Sequence, residues 1–293
     1  MSAFSFLNRK AAEGPGTVDI ADAGKVILPN SPEGRKFFRK RSIFIVLLAL
    51  GFIAINALSG AAVEFDFVSA VLDFPSAVVW MATNFVPTVE ALDKVPQILN
   101  ALLSTILSAV ASSVTGAILA YVLAVLGCRS VGIGGPASLI VRAIASLFRN
   151  IPAVAWASIL LFSFNQSEFT GFLVLFLGSF GYLTRCFLET LDEISGGVIE
   201  ALRSTGASYL QIVTQAVIPL SITSVVSWLL YMVETNIRDA TLVGILTGTG
   251  IGFVFNVYYK SFDYDVTAII LLFIIVVVIA CEAISNYVRR QII

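Results

Sequence analysis

The chain has 293 residues, of which 58% are hydrophobic and only 13% charged, with a formal net charge of −1. That apolar share exceeds the roughly 45–50% of soluble globular domains, so the chain reads as a polytopic, all-α membrane protein in which every spanning backbone group is satisfied within a helix. There is no His, and Cys128, Cys186 and Cys281 stand far apart, so neither a metal cluster nor a disulfide framework is indicated, and the balanced charge implies no nucleic-acid partner.

Residues 1–41 read as a cytoplasmic tail, with Gly14, Pro15, Gly16, Pro29, Pro32 and Gly34 among charges and without the apolar core of a secretory signal. Residues 42–94 hold the first span, Ser42 to Val63, and an acidic outer loop in which Phe74 to Phe85 is too short to cross and suits a helix lying at the interface. Residues 95–293 form the core. Its second span runs from Val95 to Cys128, and its third from about Ser138 to Phe164, where Pro152 predicts a kink or break. The fourth covers about Thr170 to Asp192, the fifth Gln211 to Glu234, and the sixth Val266 to Tyr287.

Ala240 to Tyr259 is uncharged and long enough for a seventh span, yet it carries Gly244, Gly248, Gly250 and Gly252, which disfavour a regular helix. Arg35, Lys36, Arg39, Lys40 and Arg41 precede the first span, and Arg289 and Arg290 follow the last. Cytoplasmic placement of both basic groups demands an even number of spans. Six spans therefore put both termini in the cytoplasm, and Thr241 to Phe255 becomes a re-entrant or short broken helix covered by protein.

On this topology Ile199 to Leu220, IEALRSTGASYLQIVTQAVIPL, is a cytoplasmic loop after the fourth span. Glu200, Ala201, Gly206 and Pro219 fall at the spacing of the Glu-Ala-Ala signature loop of bacterial ABC-importer permeases, which this stretch resembles; Leu202 and Ala216 depart from it. Small residues at Ala201, Ser204 and Ala207 let a helix nest in a partner's groove, Gly206 permits a sharp turn, and Pro219 is expected to start the next span. A coupling helix is thus expected at about 195–210. The stretches RNIPAVAWA (149–157), ALRSTGAS (201–208), VETNIRDATLVGILTGTGIG (233–252) and FDYDVTAIILL (262–272) resemble, in that order, the phosphonate ABC-transporter permease family. Asn150, Asp239 and the Thr247-Gly248-Thr249-Gly250 run depart from its usual residues.

The resemblance implies a type I importer permease of MetI-like fold in a bacterial cytoplasmic membrane. It implies two ABC ATPase subunits that use ATP and Mg, an extracytoplasmic substrate-binding protein, and a second permease that is a copy or a paralogue. No cofactor is expected on this chain, which has no G-x-x-x-x-G-K-[ST] loop and is not itself an enzyme. The expected cargo is a phosphonate, phosphite or phosphate ester; another small solute is the alternative.

Charges inside spans cost about 2.5–3.5 kcal/mol at a helix centre and so pair or line a polar path. Glu234 and Arg238, four apart, can pair on one helix face. Alternatively Arg238 and Asn236 meet an anion, since guanidinium presents a planar fork to oxyanions. Arg149 and Asn150 sit at the break before Pro152, either as path residues or balanced by a neighbour. An ion-coupled secondary transporter would want midplane acids or an inverted repeat, and a membrane enzyme would want clustered His, Cys or carboxylates; neither pattern is found.

Overall fold

The computed structural model describes residues 32–132, 135–193 and 196–292, with side chains from Arg39 onward. The first 31 residues of the expected tail lie outside the described residues, and from Pro32 the chain is helical. Among the described residues the regular structure is entirely helical. The chain divides into two units between Ala77 and Val78.

In the first unit, α1 spans Pro32–Ala62, and none of its described side chains is buried. Isoleucines, leucines and phenylalanines exposed all round suit a helix solvated by lipid. Asp66 caps the start of α2, Phe67–Asn84, with Oδ1 accepting the Val68 N–H at 2.9 Å and Oδ2 accepting the Ser69 hydroxyl at 2.6 Å. These donors, the Ser69 hydroxyl foremost, hold its carboxyl below the usual carboxylate range. The interfacial segment expected at Phe74 to Phe85 is thus part of a longer helix, whose 18 residues are long and apolar enough to cross a membrane.

The second unit is a bundle around two long helices, α3 (Val95–Gly127) and α6 (Glu168–Glu193). Between them lie α4 (Pro136–Asn150) and α5 (Ala153–Phe164); α7 (Gly196–Ser204), α8 (Tyr209–Thr247), α9 (Gly250–Lys260) and α10 (Tyr264–Ile292) follow. Lipid tails are as apolar as leucine, so helices associate there through close packing and hydrogen bonds rather than through burial from water. The buried face of α3 is accordingly small: Ala109, Ser112, Ser113, Gly116, Ala120 and Ala124 recur at intervals of three and four. One core group, with Phe187, Leu191, Ile199 and Ile212, gathers around the Gly127 end of α3, and another, with Ile98, Leu102, Ile251 and Ile270, around its Val95 end.

Among the described residues six helices are long and apolar enough to cross a membrane, or seven spans result if the bent pair α4 and α5 counts as one. Five match expected spans one, two, four, five and six; the remaining one is α2, while the expected third span is the pair α4 and α5, bent by 90°. One boundary is corrected: the fifth span does not end at Glu234, because α8 runs on to Thr247. Of the two forms expected for Thr241 to Phe255, the structure takes the broken helix, with the break at Gly248 and Thr249. Thr105 of α3 accepts the Ile251 N–H at 2.8 Å and Gln97 accepts the Tyr258 hydroxyl at 3.1 Å, so α9 continues toward the Val95 end of α3, the direction in which α8 travels.

Candidate functional site

Two regions carry the residues singled out by sequence. The first is α7 and the turn after it. Ile199 is buried and Leu202 half-buried against the core group at the Gly127 end, while Glu200, Ala201 and Ser204 on the other side of the helix are exposed. Glu200 has no ion-pair partner among the described residues. The helix stops in a Schellman arrangement: the Ala207 N–H donates to the Leu202 carbonyl at 3.2 Å and the Gly206 N–H to the Arg203 carbonyl at 3.0 Å. Gly206 takes φ +82°, and Ala207 folds back half-buried beside Leu202.

Ser208 then opens α8 through a capping box with Gln211. Pro219 therefore does not start the span, which is already helical at Tyr209. Proline offers no N–H to the carbonyl four residues back and its ring crowds that carbonyl. The helix widens to a π turn over Val213–Val217 just before it.

The second region is the elbow between α4 and α5. Ile151 is extended (φ −89°, ψ 118°), as the residue before a proline prefers, and Pro152 follows at φ −60°, ψ 148°. Phe148 stacks on Trp156 across the bend, with ring centroids 5.5 Å apart and planes 14° apart. Gly181 of α6 admits the elbow: a Cβ there would sit 2.6 Å from the Arg149 nitrogen and 2.7 Å from the Phe148 Cβ.

Between the elbow, α6 and α8 lies a cavity of about 220 Å³ whose polar lining includes Arg149, Tyr182, Tyr231, Thr235, Asn236 and Asp239. Arg149 and Asp239 form no salt bridge among the described residues, so the cavity is lined by one guanidinium and one carboxyl group without an ion-pair partner there. The neighbour Arg185 is engaged with Glu189 on its own helix.

The four expected path residues separate. Arg149 and Asn236 line this cavity, whereas Asn150 and Arg238 do not. Asn236 is buried, and its amide donates to Ser113 at 2.8 Å and Ser179 at 2.6 Å, with Ser112 at 3.3 Å. Asn150 donates to the Ser146 hydroxyl at 3.1 Å on the exposed side of α4. Arg238 takes the paired form, its Nη2 2.6 Å from Glu234, whose second oxygen lies 3.7 Å from Arg289 of α10. Tyr231, Thr235 and Asp239 of α8 and Tyr182 of α6 join the cavity where those helices meet the elbow, for which no local spacing gives a signal.

The fold is that of a membrane permease. The chain belongs to the family described as binding-protein-dependent transport system inner membrane component, which matches residues 116–293. Among similar proteins, the phosphate-import permease protein PhnE of Mycolicibacterium smegmatis is 28% identical over 52% of this chain and 29% of its own length. A putative cryptic phosphonate transport system permease protein, PhnE2 of Escherichia coli, is 31% identical over 41% of this chain and 98% of its own. The phosphite transport system permease protein PtxC of Stutzerimonas stutzeri is 27% identical over 52% of this chain and 55% of its own. Among solved structures, the MetNI methionine ABC transporter in an inward-facing conformation has a chain that matches with TM-score 0.59 and 22% identity, over 67% of this chain and 96% of that one. The fold is that of the MetI-like importer permeases.

Proposed function

We propose that this chain is the membrane subunit of an ATP-driven importer and that its cargo is a small oxyanion, a phosphonate, phosphite or phosphate ester, handed over by an extracytoplasmic binding protein. The observation that carries the cargo reading is the unpaired Arg149 in a cavity of about 220 Å³ at a helix break. Its planar fork suits tetrahedral oxyanions, and the hydroxyls of Tyr182, Tyr231 and Thr235 can replace hydrating water. The similarity to phosphonate and phosphite permeases favours the same cargo.

In this reading the exposed side of α7, with Glu200, Ala201 and Ser204, docks on one of two ATPase subunits, which hold ATP and Mg. Gly206, Ala207 and Pro219 shape the turn behind it. A second copy or a paralogue completes the permease pair, and with α2 lying along the membrane rather than across it both termini face the cytoplasm.

A second reading, import of an amino acid, is favoured by Asp239. A cavity with one carboxylate and one guanidinium complements a zwitterion, and a methionine import permease of Bacillus subtilis is 27% identical over 52% of this chain and 71% of its own length. The test is reconstitution in vesicles with an ATPase and a binding protein from the same organism. ATP-dependent uptake of labelled phosphonate that phosphite competes with and methionine does not is the expected result. Uptake competed only by methionine selects the second reading, and no ATP-dependent uptake of either overturns both.

A further inference from the structure

Asp192, in the last turn of α6, gathers two other parts of the bundle. Its Oδ1 accepts the Arg129 N–H from the loop after α3 at 2.7 Å, and its Oδ2 accepts from Arg142 of α4 at 2.5 Å. The Arg142 and Asp192 side chains are only 20% and 22% exposed, so water screens their pairing weakly. One residue earlier, the Leu191 carbonyl accepts the Ser130 hydroxyl at 3.1 Å. The Ser130 carbonyl in turn accepts from Arg203 of α7, also at 3.1 Å.

These bonds form an unbroken line from α7, through the Arg129–Ser130 turn and the end of α6, to the first half of α4. Arg142 and Arg149 lie seven residues apart, so they share one face of α4, two turns apart. A short straight helix moves as a rod, and the extended Ile151–Pro152 pair beyond Arg149 gives that rod a hinge.

We propose that Asp192 is a positioning residue that makes α4 follow α7, so that engagement of α7 by an ATPase is felt at Arg149 in the cavity; this rests on the importer reading above. The charged hydrogen bond to Arg142 is the link with no backbone substitute. Without it α4 is held to α6 by packing alone, and displacement of α7 no longer reaches the elbow.

The test uses the full chain carrying 5-fluorotryptophan, assembled with unlabelled ATPase in vesicles. The Trp156 resonance, assigned by its absence in Trp156→Phe, reports the stack on Phe148 across the elbow. In the parent it is expected to shift when ATP binds. In Arg142→Gln that shift is expected to vanish and uptake per ATP hydrolysed to fall by about fivefold or more, while Arg142→Lys, which keeps the charge, restores both. Asp192→Asn retains an acceptor for the Arg129 N–H and is expected to behave as Arg142→Gln does, which covers the case in which the latter fails to assemble. An assembled Asp192→Asn or Arg142→Gln complex with the parental Trp156 shift and parental uptake per ATP overturns the proposal, as does a parental Trp156 resonance indifferent to ATP. A parental complex that binds no ATPase would instead overturn the importer reading.

Discussion

The Asn236 amide nitrogen of α8 lies 2.6 Å from the Ser179 hydroxyl of α6 and 2.8 Å from the Ser113 hydroxyl of α3, tying three helices at one point. Each serine donates its own proton to a carbonyl on its helix, Ser179 to Leu175 and Ser113 to Ala109, and is thereby left an acceptor. Ser112 and Ser113 stand near the middle of α3, so the tie lies deep in the bundle rather than at either mouth.

Asn236→Leu should therefore destabilise packing rather than abolish chemistry. Interhelical hydrogen bonds in membranes contribute about 0.6–1.7 kcal/mol. Unfolding in mixed micelles should show a loss of that size. Unchanged stability would remove the tie from the account.

Gly181→Val should strain the elbow, since its Cβ would meet the backbone of Arg149 and Phe148, and overpacking of this kind costs about 1–3 kcal/mol. Gly178, on the same helix, has open space where a Cβ would go. Gly178→Ala is the matched control. Thermal unfolding of the two variants in detergent should differ; equal midpoints would contradict the close approach.

Gly206→Ala meets no atom within 4 Å, so its cost comes only from φ +82° and should be about 1–2 kcal/mol locally. Gly206→Trp adds bulk on an exposed turn and should weaken co-purification with the ATPase and uncouple hydrolysis from uptake. A tryptophan variant that co-purifies and drives uptake at the parental rate would take the docking role away from this turn.

Arg149→Gln should lower uptake by about tenfold or more, the scale of one charge-assisted hydrogen bond of roughly 1.5–3 kcal/mol. Arg238→Gln, whose guanidinium is held by Glu234 outside the cavity, should instead break a pair within α8 and leave the Glu234–Arg289 contact to α10, with a smaller effect on uptake. Initial uptake rates normalised to assembled complex separate the two. A larger uptake loss in Arg238→Gln would return the path to that residue.

The class of protein and most of its spans were legible in the sequence, because apolar runs of membrane length have few other solutions once every backbone group must be paired. The turn at Gly206 was legible as well, since a glycine acts on its immediate neighbours, whereas the Ser208–Gln211 capping box, equally local, was missed. Pro219 defeated local reading: it looked like a helix start, but a π turn absorbed it inside a longer helix. The glycines after Thr241 announced an irregular helix, and the packing of α9 onward along α3 decided for a broken helix over a re-entrant one. Only tertiary structure could pair Asp192 with Arg142, close three serines around Asn236, and set Arg149 and Asp239 in one cavity. Such contacts join residues 50 or more apart through the crossing of rigid helices, and helix crossing depends on the shape of both surfaces, which periodicity along one chain segment does not encode.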